Sequence, residues 1–321
     1  MRRFLRFFLL VFLVHYTGCK RKQDFVTKTY LVMGTVLNVT LPDSCSTLCD
    51  SVFQIFKTID SLMNPIKPWS DVYRINSSRS LVAVHPYTLE CIRKAIQVSE
   101  ATGGAFDITV GAIVHLWHFD EQGKYVFPEE DSILKYQKYI NYRNIRISDG
   151  KIALGPHQRI TLAGIAKGYA IQLAAEYLKS KGTLSGIIDA GGDLYLLGSK
   201  DGAKWRVGIR DPHEEEINRV IFLSNVACCT SGDYERYVEQ GGQRYSHIFS
   251  PFTGYPVSSG VRSVTVIYKD ATLCDALATA IFVLGPEKAK DLQKSFEGME
   301  YYIITDDSTY LSEGFSRFFQ E

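Results

Sequence analysis

The first strong pattern along the chain is an alternation of apolar and polar residues. It covers residues 25 to 41, with the sequence FVTKTYLVMGTVLNVTL, and a two-residue period is typical of a half-buried β-strand. The turn-forming residues Pro42-Asp43-Ser44 follow it. Residues 46 to 63 then carry apolar side chains at helical spacing, namely Leu48, Val52, Ile55, Phe56, Ile59 and Met63. We expect this helix to pack back on the strand.

The next part of the chain predicts a second helix and then an irregular stretch. The helix covers about residues 88 to 101, and Gly103-Gly104 is a C-terminal stop signal. Residues 105 to 130 contain many aromatic side chains but no clear period. We therefore expect an irregular region there.

From about residue 140 the pattern changes to short strands with two helices among them. One amphipathic helix runs from Gly164 to Lys181, and another lies in ATLCDALATAIFVLGP and is closed by Gly285-Pro286. The sequence SGIIDAGGDLYLLGSK predicts two strands broken at Gly191-Gly192, and WRVGIR, RVIFLS and SVTVIYK predict three more. Grouped strands with interspersed helices favour an α+β fold. We expect one composite domain of mixed or antiparallel sheets with packed helices.

The N-terminus differs in composition from the rest of the chain. Residues 1 to 22 contain basic residues at both ends and no acidic residue. Between the basic residues lies an apolar stretch of about 8 residues. This pattern is typical of a secretory signal, and the apolar stretch is too short to span a bilayer. Tyr16-Thr17-Gly18-Cys19 resembles a bacterial lipobox, although Tyr16 departs from its usual aliphatic residue. We expect a signal peptide at 1 to 18, a lipidated Cys19 and a tether at 19 to 29 before a domain at 30 to 321. An ordinary signal with a chance cysteine is the alternative.

These features predict an exported lipoprotein that a lipid anchor holds at a membrane, facing the periplasm. The charge balance fits a globular domain: 36 Lys and Arg against 35 Asp and Glu give a net charge of +1. Such a balance argues against a nucleic-acid partner, because there is no basic excess to neutralise phosphates. Six further cysteines are interpreted mainly as small buried hydrophobic residues, with a Cys45–Cys49 disulfide as an open alternative.

The clearest candidate for chemistry is the pair Asp275 and Thr279, four residues apart on the last predicted helix. That spacing places a carboxylate and a hydroxyl on one face, among Ala, Leu, Ile and Val. Burying a carboxylate there is costly unless it is paired or binds a cation, and oxygen ligands suit magnesium or calcium. The alternative is an Asp favoured by the positive end of the helix dipole.

Three further clusters contain candidate residues. Lys167 lies among small residues at the start of a helix, where a phosphate could approach, although tight helix packing explains the glycines equally well. The stretch from Thr230 to Pro256 is predicted to be rich in loops and contains many polar residues. His247 is the side chain in this stretch that is best suited to gain or lose a proton near neutral pH. Ala105-Phe106-Asp107 follows a glycine pair that would let the backbone face a ligand, and a plain turn is the alternative.

Several common enzyme classes are disfavoured, since the chain has no GxSxG, HExxH, GxGxxG or Walker loop. Taken together, however, seven motifs in order over residues 30 to 285 resemble the ApbE family of FAD:protein FMN transferases. They are VMGT at 32 to 35, TGGAFD at 102 to 107, GIAKGYA at 164 to 170, AGGD at 190 to 193, TSGDYERY at 230 to 237, SHIFSPFTGYP at 246 to 256 and DALATA at 275 to 280.

The resemblance implies a magnesium-dependent cleavage of FAD, in which FMN is attached through a phosphoester to a Thr or Ser of an acceptor protein and AMP is released. It implies that Asp275 and Thr279 bind the metal, together with oxygen atoms from Gly164 and Ala278. It also implies two catalytic residues: Asp275, and His247 as the group that accepts or donates a proton. The positions that it implies for the flavin nucleotide are Met33, Ala105, Phe106, Asp107, Thr161, Lys167 and Phe249. Two positions depart from the family pattern: Thr161 stands where Asp is common, and Ile66 where an aromatic residue is usual.

Two other functions stay open from the sequence. The same metal site would hydrolyse FAD to FMN and AMP if water replaced the acceptor hydroxyl. Alternatively, the chain is a flavin-binding lipoprotein that stores or delivers FAD without turnover.

Overall fold

The computed structural model of the chain describes residues 23–118, 126–214, 216–234, 237–240 and 243–320. The predicted signal peptide and Cys19 lie outside the described residues. So do Glu235 and Arg236 of the TSGDYERY motif.

The strands number fifteen among the described residues. They are β1 (Phe25–Val32), β2 (Thr35–Pro42), β3 (Val82–Ala83), β4 (Arg146–Ser148), β5 (Lys151–Ala153), β6 (Gly186–Ala190), β7 (Asp193–Leu197), β8 (Trp205–Arg210), β9 (Ile217–Leu223), β10 (Val226–Gly232), β11 (Tyr237–Gln240), β12 (Gln243–Ser246), β13 (Val261–Tyr268), β14 (Glu300–Thr305) and β15 (Thr309–Leu311). Eight form the central sheet in the order β1-β2-β6-β7-β10-β13-β14-β15, with antiparallel neighbours throughout. Smaller sheets are β3-β5-β4, β8-β9 and β11-β12.

The helices are α1 (Leu48–Met63), α2 (Asp71–Ser77), α3 (Pro86–Ala101), α4 (Gly111–Leu116), α5 (Glu130–Gln137), α6 (Ala166–Ser180), α7 (Ala271–Leu284) and α8 (Pro286–Ser295). Six of them, α1, α2, α3, α6, α7 and α8, contribute buried residues to the main core on one face of the central sheet. The expected α+β fold of antiparallel sheets with packed helices is confirmed. No helix within the described ranges is long and apolar enough to cross a membrane.

The opposite face of the sheet has a second apolar cluster. Trp205 and Ile221 of the β8–β9 hairpin pack there with Leu196 of β7. Phe315, in a 3-10 segment at Glu313–Phe319, completes the cluster. The sheet is therefore covered on both faces, by helices on one and by a hairpin and the C-terminal segment on the other.

The first alternating segment is two strands, where the pattern predicted one. Met33 and Gly34 form a two-residue turn with φ values of 53° and 71°, and β2 returns antiparallel to β1. Such a turn requires positive φ at both central residues. Because the turn has two residues, the apolar alternation continues through it without a visible break.

Three other expectations need correction. The stretch 105 to 130, expected to be irregular, contains α4 at Gly111–Leu116. The loop-rich stretch after Thr230 contains the end of β10 and the β11–β12 hairpin. After α7, which was the last element predicted, the sheet continues with β14 and β15.

The interpretation of the cysteines as buried hydrophobic residues is confirmed for five of the six that are described. Cys45 is half-buried, and Cys49, Cys91, Cys228, Cys229 and Cys274 are buried. All six are free thiols in the structure, so the alternative of a Cys45–Cys49 disulfide is not supported.

Candidate functional site

The contact between α6 and α7 positions Asp275. The N–H of Gly168 in α6 donates to Asp275 Oδ2 at 2.8 Å. A Cβ atom on Gly168 would lie 2.6 Å from the Cβ of Asp275 and would collide with the carbonyl oxygen of Ala271. Only glycine therefore allows the two helices to approach this closely, which explains the second glycine of the GIAKGYA motif.

Asp275 is a buried carboxylate with a perturbed titration. It is 4% exposed, and burial raises its pKa to about 6, while the charge of Lys167 opposes the rise and that of Asp193 adds to it. The helix-dipole alternative is insufficient to explain this position, because Asp275 is enclosed between two helices rather than placed at a free helix end. A cation beside the carboxylate would offset the cost of its charge.

Lys167 lies between two carboxylates. Its Nζ forms a direct ion pair with Asp193 and is 4.0 Å from Asp275 Oδ1. Asp193, which is 2% exposed, also accepts a hydrogen bond of 3.1 Å from the N–H of Thr230. The sequence did not single out Asp193 as a site residue, although it ends the AGGD motif.

Thr279 borders the same region, one helical turn beyond Asp275. Its Oγ1 is 3.2 Å from Ser231 Oγ at the end of β10. A Cβ atom on Gly164 would be 3.3 Å from Thr279 Oγ1 and 3.3 Å from Phe106 Cε2. The structure thus brings together Gly164, Phe106 and Thr279, residues to which the family resemblance assigns roles in binding a metal or the nucleotide.

Ala278 lies inside α7 and is 1% exposed. Helical geometry directs its carbonyl to the N–H four residues later. A metal would therefore use the second lone pair of this oxygen.

Met33 lies at one end of the sheet, next to the AGGD turn. The N–H of Gly191 donates to Val36 O at 3.0 Å, and a Cβ atom on Gly191 would collide with Thr35 Oγ1. The β1–β2 turn and the β6–β7 turn are therefore in direct contact. Half-buried Met33 lies at the same end of the sheet as Asp193, the first residue of β7.

Asp107 uses its carboxylate to order its own loop. It accepts hydrogen bonds from the N–H and hydroxyl of Thr109 at 2.8 and 2.6 Å, and from the N–H of Tyr142 at 2.9 Å. Burial raises the pKa of Asp107, and these hydrogen bonds oppose the rise. Asp107 therefore holds the loop that carries Ala105, which is buried, and Phe106.

Thr161 is tied to the same loop by its main chain. Its N–H donates to Ile108 O at 2.9 Å, and its hydroxyl accepts from the N–H of Ala163 at 3.3 Å. The side chain thus orders the turn that leads to Gly164.

Phe249 and His247 belong to the segment that follows β12. Phe249 is 5% exposed and packs in an apolar cluster with Ile113 and Trp117, its ring centroid 5.7 Å from that of Trp117. His247 is half-buried. The structure therefore places Phe249 against α4 and α5, whereas Asp275 and Thr279 lie on α7.

The donor set around Asp275 determines which ligands it suits. Within the described parts of the chain, no group of three or more His, Cys, Asp and Glu side chains could hold a metal ion. Asp275 and Thr279 instead offer a carboxylate and a hydroxyl one helical turn apart on α7. Oxygen donors with few charges are the type that magnesium accepts, because magnesium usually retains several waters or substrate oxygens.

Comparison with known proteins identifies the family. The model of the ApbE family matches residues 33–303. The FAD:protein FMN transferase of Vibrio cholerae is 31% identical over 317 residues, covering 94% of this chain and 95% of that protein. The protein of the same name from Escherichia coli is 30% identical over 346 residues, covering 98% of this chain and 97% of that protein.

Solved structures agree with the sequence matches. The ApbE protein from Thermotoga maritima superimposes with a TM-score of 0.88 at 32% identity, covering 93% of this chain and all of that one. The flavin transferase ApbE from Vibrio cholerae gives 0.82 at 30% identity, covering 92% and 99%. With a family match over most of its length and relatives at this identity, the chain belongs to the ApbE family.

Proposed function

We propose that this chain is an FAD:protein FMN transferase. It cleaves the pyrophosphate of FAD, attaches FMN through a phosphoester to a Thr or Ser of an acceptor protein, and releases AMP. Membership of the ApbE family and the names of the relatives support the reaction. The observation that carries it is the junction of α6 and α7, where buried Asp275 lies 4.0 Å from the ammonium of Lys167.

The residues at this junction fit a magnesium ion. Asp275 and Thr279 would hold it with oxygen atoms from Gly164 and Ala278. Burial raises the pKa of Asp275, and a bound cation would offset the cost of keeping this buried carboxylate charged. Bound magnesium would neutralise charge on the pyrophosphate oxygens of FAD.

The chain's own residues supply positioning and a second positive charge. Phosphoryl transfer depends mainly on alignment and charge stabilisation, so Lys167 would attract the pyrophosphate from the side opposite Asp193. The loop at Phe106, ordered by Asp107, forms a wall beside Gly164 where the nucleotide would lie. Met33, Ala105, Thr161 and Phe249 complete the set assigned to the flavin nucleotide.

The acceptor hydroxyl must lose a proton when it attacks phosphorus. His247 is assigned this role, because a histidine changes charge near neutral pH and can hold the proton during transfer. The proton would leave the Thr or Ser oxygen as the new phosphorus–oxygen bond forms.

One incubation separates transfer from hydrolysis and from storage. The purified chain is mixed with FAD, magnesium and a peptide that carries a flavinylation Thr. Transfer gives a peptide heavier by FMN together with AMP; free FMN and AMP with unmodified peptide indicate hydrolysis; intact FAD indicates a flavin-binding lipoprotein. We expect the first result.

We also propose that the protein is exported and held at a membrane by lipid on Cys19, with its domain facing the periplasm. The charged and apolar pattern of residues 1 to 18 and the Thr-Gly-Cys site support this. The protein would then modify acceptor proteins that are also in the periplasm.

A further inference from the structure

Asp193 is a buried carboxylate that contacts Lys167 and has no role in the reaction as described above. Its Oδ1 accepts from the N–H of Thr230 at 3.1 Å, and its Oδ2 forms the ion pair with Lys167. Both oxygens are therefore engaged, one by a neighbouring strand of the sheet and one by α6. A buried carboxylate held in this way has a defined position.

The turn before Asp193 adds to this constraint. Gly191 and Gly192 have φ values of 67° and 96°, a backbone conformation that side chains rarely adopt. The N–H of Gly191 is bonded to Val36 O. Asp193 thus enters β7 from a turn that is fixed against β2.

Lys167 faces Asp275 as well as Asp193, but the two contacts differ. The ammonium contacts Asp193 directly and remains 4.0 Å from Asp275 Oδ1. Asp275 Oδ2 is already bonded to the N–H of Gly168. Oδ1 is thus the carboxylate oxygen for which the ammonium and a metal cation would compete.

We propose that Asp193 is a positioning residue that holds Lys167 away from Asp275 and so keeps Asp275 available to a divalent cation. The inference rests on the proposed function, because it takes Asp275 as the metal ligand. Pairing Lys167 with Asp193 also keeps a positive charge beside the site without placing it on the metal ligand. A cluster of two carboxylates and one lysine can thereby bind one further cation.

Removing the charge of Asp193 should change the competition between the Lys167 ammonium and a metal cation for Asp275 Oδ1. In Asp193→Asn the amide oxygen still accepts from the N–H of Thr230, but Lys167 loses its ion pair with Asp193, and the charge of Asp275 Oδ1, 4.0 Å from its ammonium, attracts it more strongly. The cation must then displace an ammonium. We expect the affinity for Mg²⁺ to fall by about 10- to 100-fold, the usual effect of removing a residue that orients a metal ligand.

The test measures Mg²⁺ binding to the full chain by calorimetry, without FAD. Five forms are compared: wild type, Asp193→Asn, Lys167→Met, the double variant of these two substitutions, and Asp275→Asn as the control for the metal ligand. Among the variants that retain Asp275, we expect weak binding only in Asp193→Asn, and recovery to within about threefold of wild type in the double variant, because removal of the lysine removes the competitor. A merely structural role of Asp193 would give no such rescue.

Three results would overturn the proposal. One is wild-type Mg²⁺ affinity in a folded Asp193→Asn variant; another is a double variant that binds as weakly as Asp193→Asn. If Asp193→Asn does not fold, the affinity of Lys167→Met for Mg²⁺ tests the proposal. This variant should bind Mg²⁺ at least as tightly as wild type, and a tenfold loss of affinity would contradict the proposal. If wild type and Asp275→Asn bind Mg²⁺ equally, the metal site of the proposed function fails instead.

Discussion

Replacing Asp275 with Asn should stabilise the metal-free protein while abolishing its metal-dependent activity. The side chain is 4% exposed, and its pKa is raised from 3.8 to about 6. Asn has nearly the same shape, and its amide oxygen can accept from the N–H of Gly168. The substitution therefore removes the charge with little change in packing.

The sign of the effect follows from the two pKa values. The folded-state pKa lies above the unfolded one, so the folded state binds the proton more tightly and loses stability as the pH rises through about 6. At about 1.4 kcal/mol per pKa unit, the charged carboxylate costs about 3 kcal/mol by pH 8. About half of that cost develops between pH 5 and pH 8.

The assay is urea unfolding of wild type and Asp275→Asn in EDTA at several pH values. The variant's advantage in free energy of unfolding should grow by about 1 kcal/mol from pH 5 to pH 8. Saturating Mg²⁺ should stabilise only wild type, by about 2.7 kcal/mol at 100 times the dissociation constant. The matched control is Asp270→Asn, at the N-cap of the same helix, which should retain activity and Mg²⁺ binding. If Asp275→Asn is no more stable than wild type, or if its advantage does not change with pH, then a charged Asp275 does not destabilise the metal-free fold.

Three further predictions concern packing, proton transfer and anchoring. Gly168→Ala should lower the free energy of unfolding by about 3 kcal/mol, since its methyl group would collide with the backbone at Ala271; an unchanged urea midpoint would contradict the close contact of α6 and α7. His247→Ala should slow transfer by at least about 100-fold with FAD affinity within threefold of wild type, and a wild-type rate in a single-turnover assay would remove His247 from the mechanism. Cys19→Ser should release the protein from membranes on fractionation, whereas Cys45→Ser should not; unchanged fractionation of Cys19→Ser would count against lipidation.

Helices with strong periodicity could be predicted from the sequence, and so could the face of α7 that carries Asp275 and Thr279. The pattern of α1 gave its end at Met63, and glycines marked the ends of α3 and α7. Asp275 and Thr279 could be paired because four residues on one helix fix their relation. The spacing of residues along the sequence thus identified residues whose relative positions are fixed within one helix.

The β1–β2 turn and the role of Asp193 could not be predicted in this way. Met33-Gly34 is not among the usual hairpin sequences, and the apolar alternation hides it. Asp193 acquires its role from Lys167, 26 positions earlier, and from Thr230, 37 positions later. Those contacts exist only after β7, β10 and α6 have assembled, so nothing near Asp193 in the sequence indicates them.

FMN transfer is tested most directly by the mass of an acceptor peptide after incubation with the protein, FAD and Mg²⁺. We predict one FMN phosphoester on the Thr or Ser, with one AMP released for each peptide modified, and neither product with Asp275→Asn. Release of AMP and free FMN from wild type while the peptide stays unmodified would contradict it.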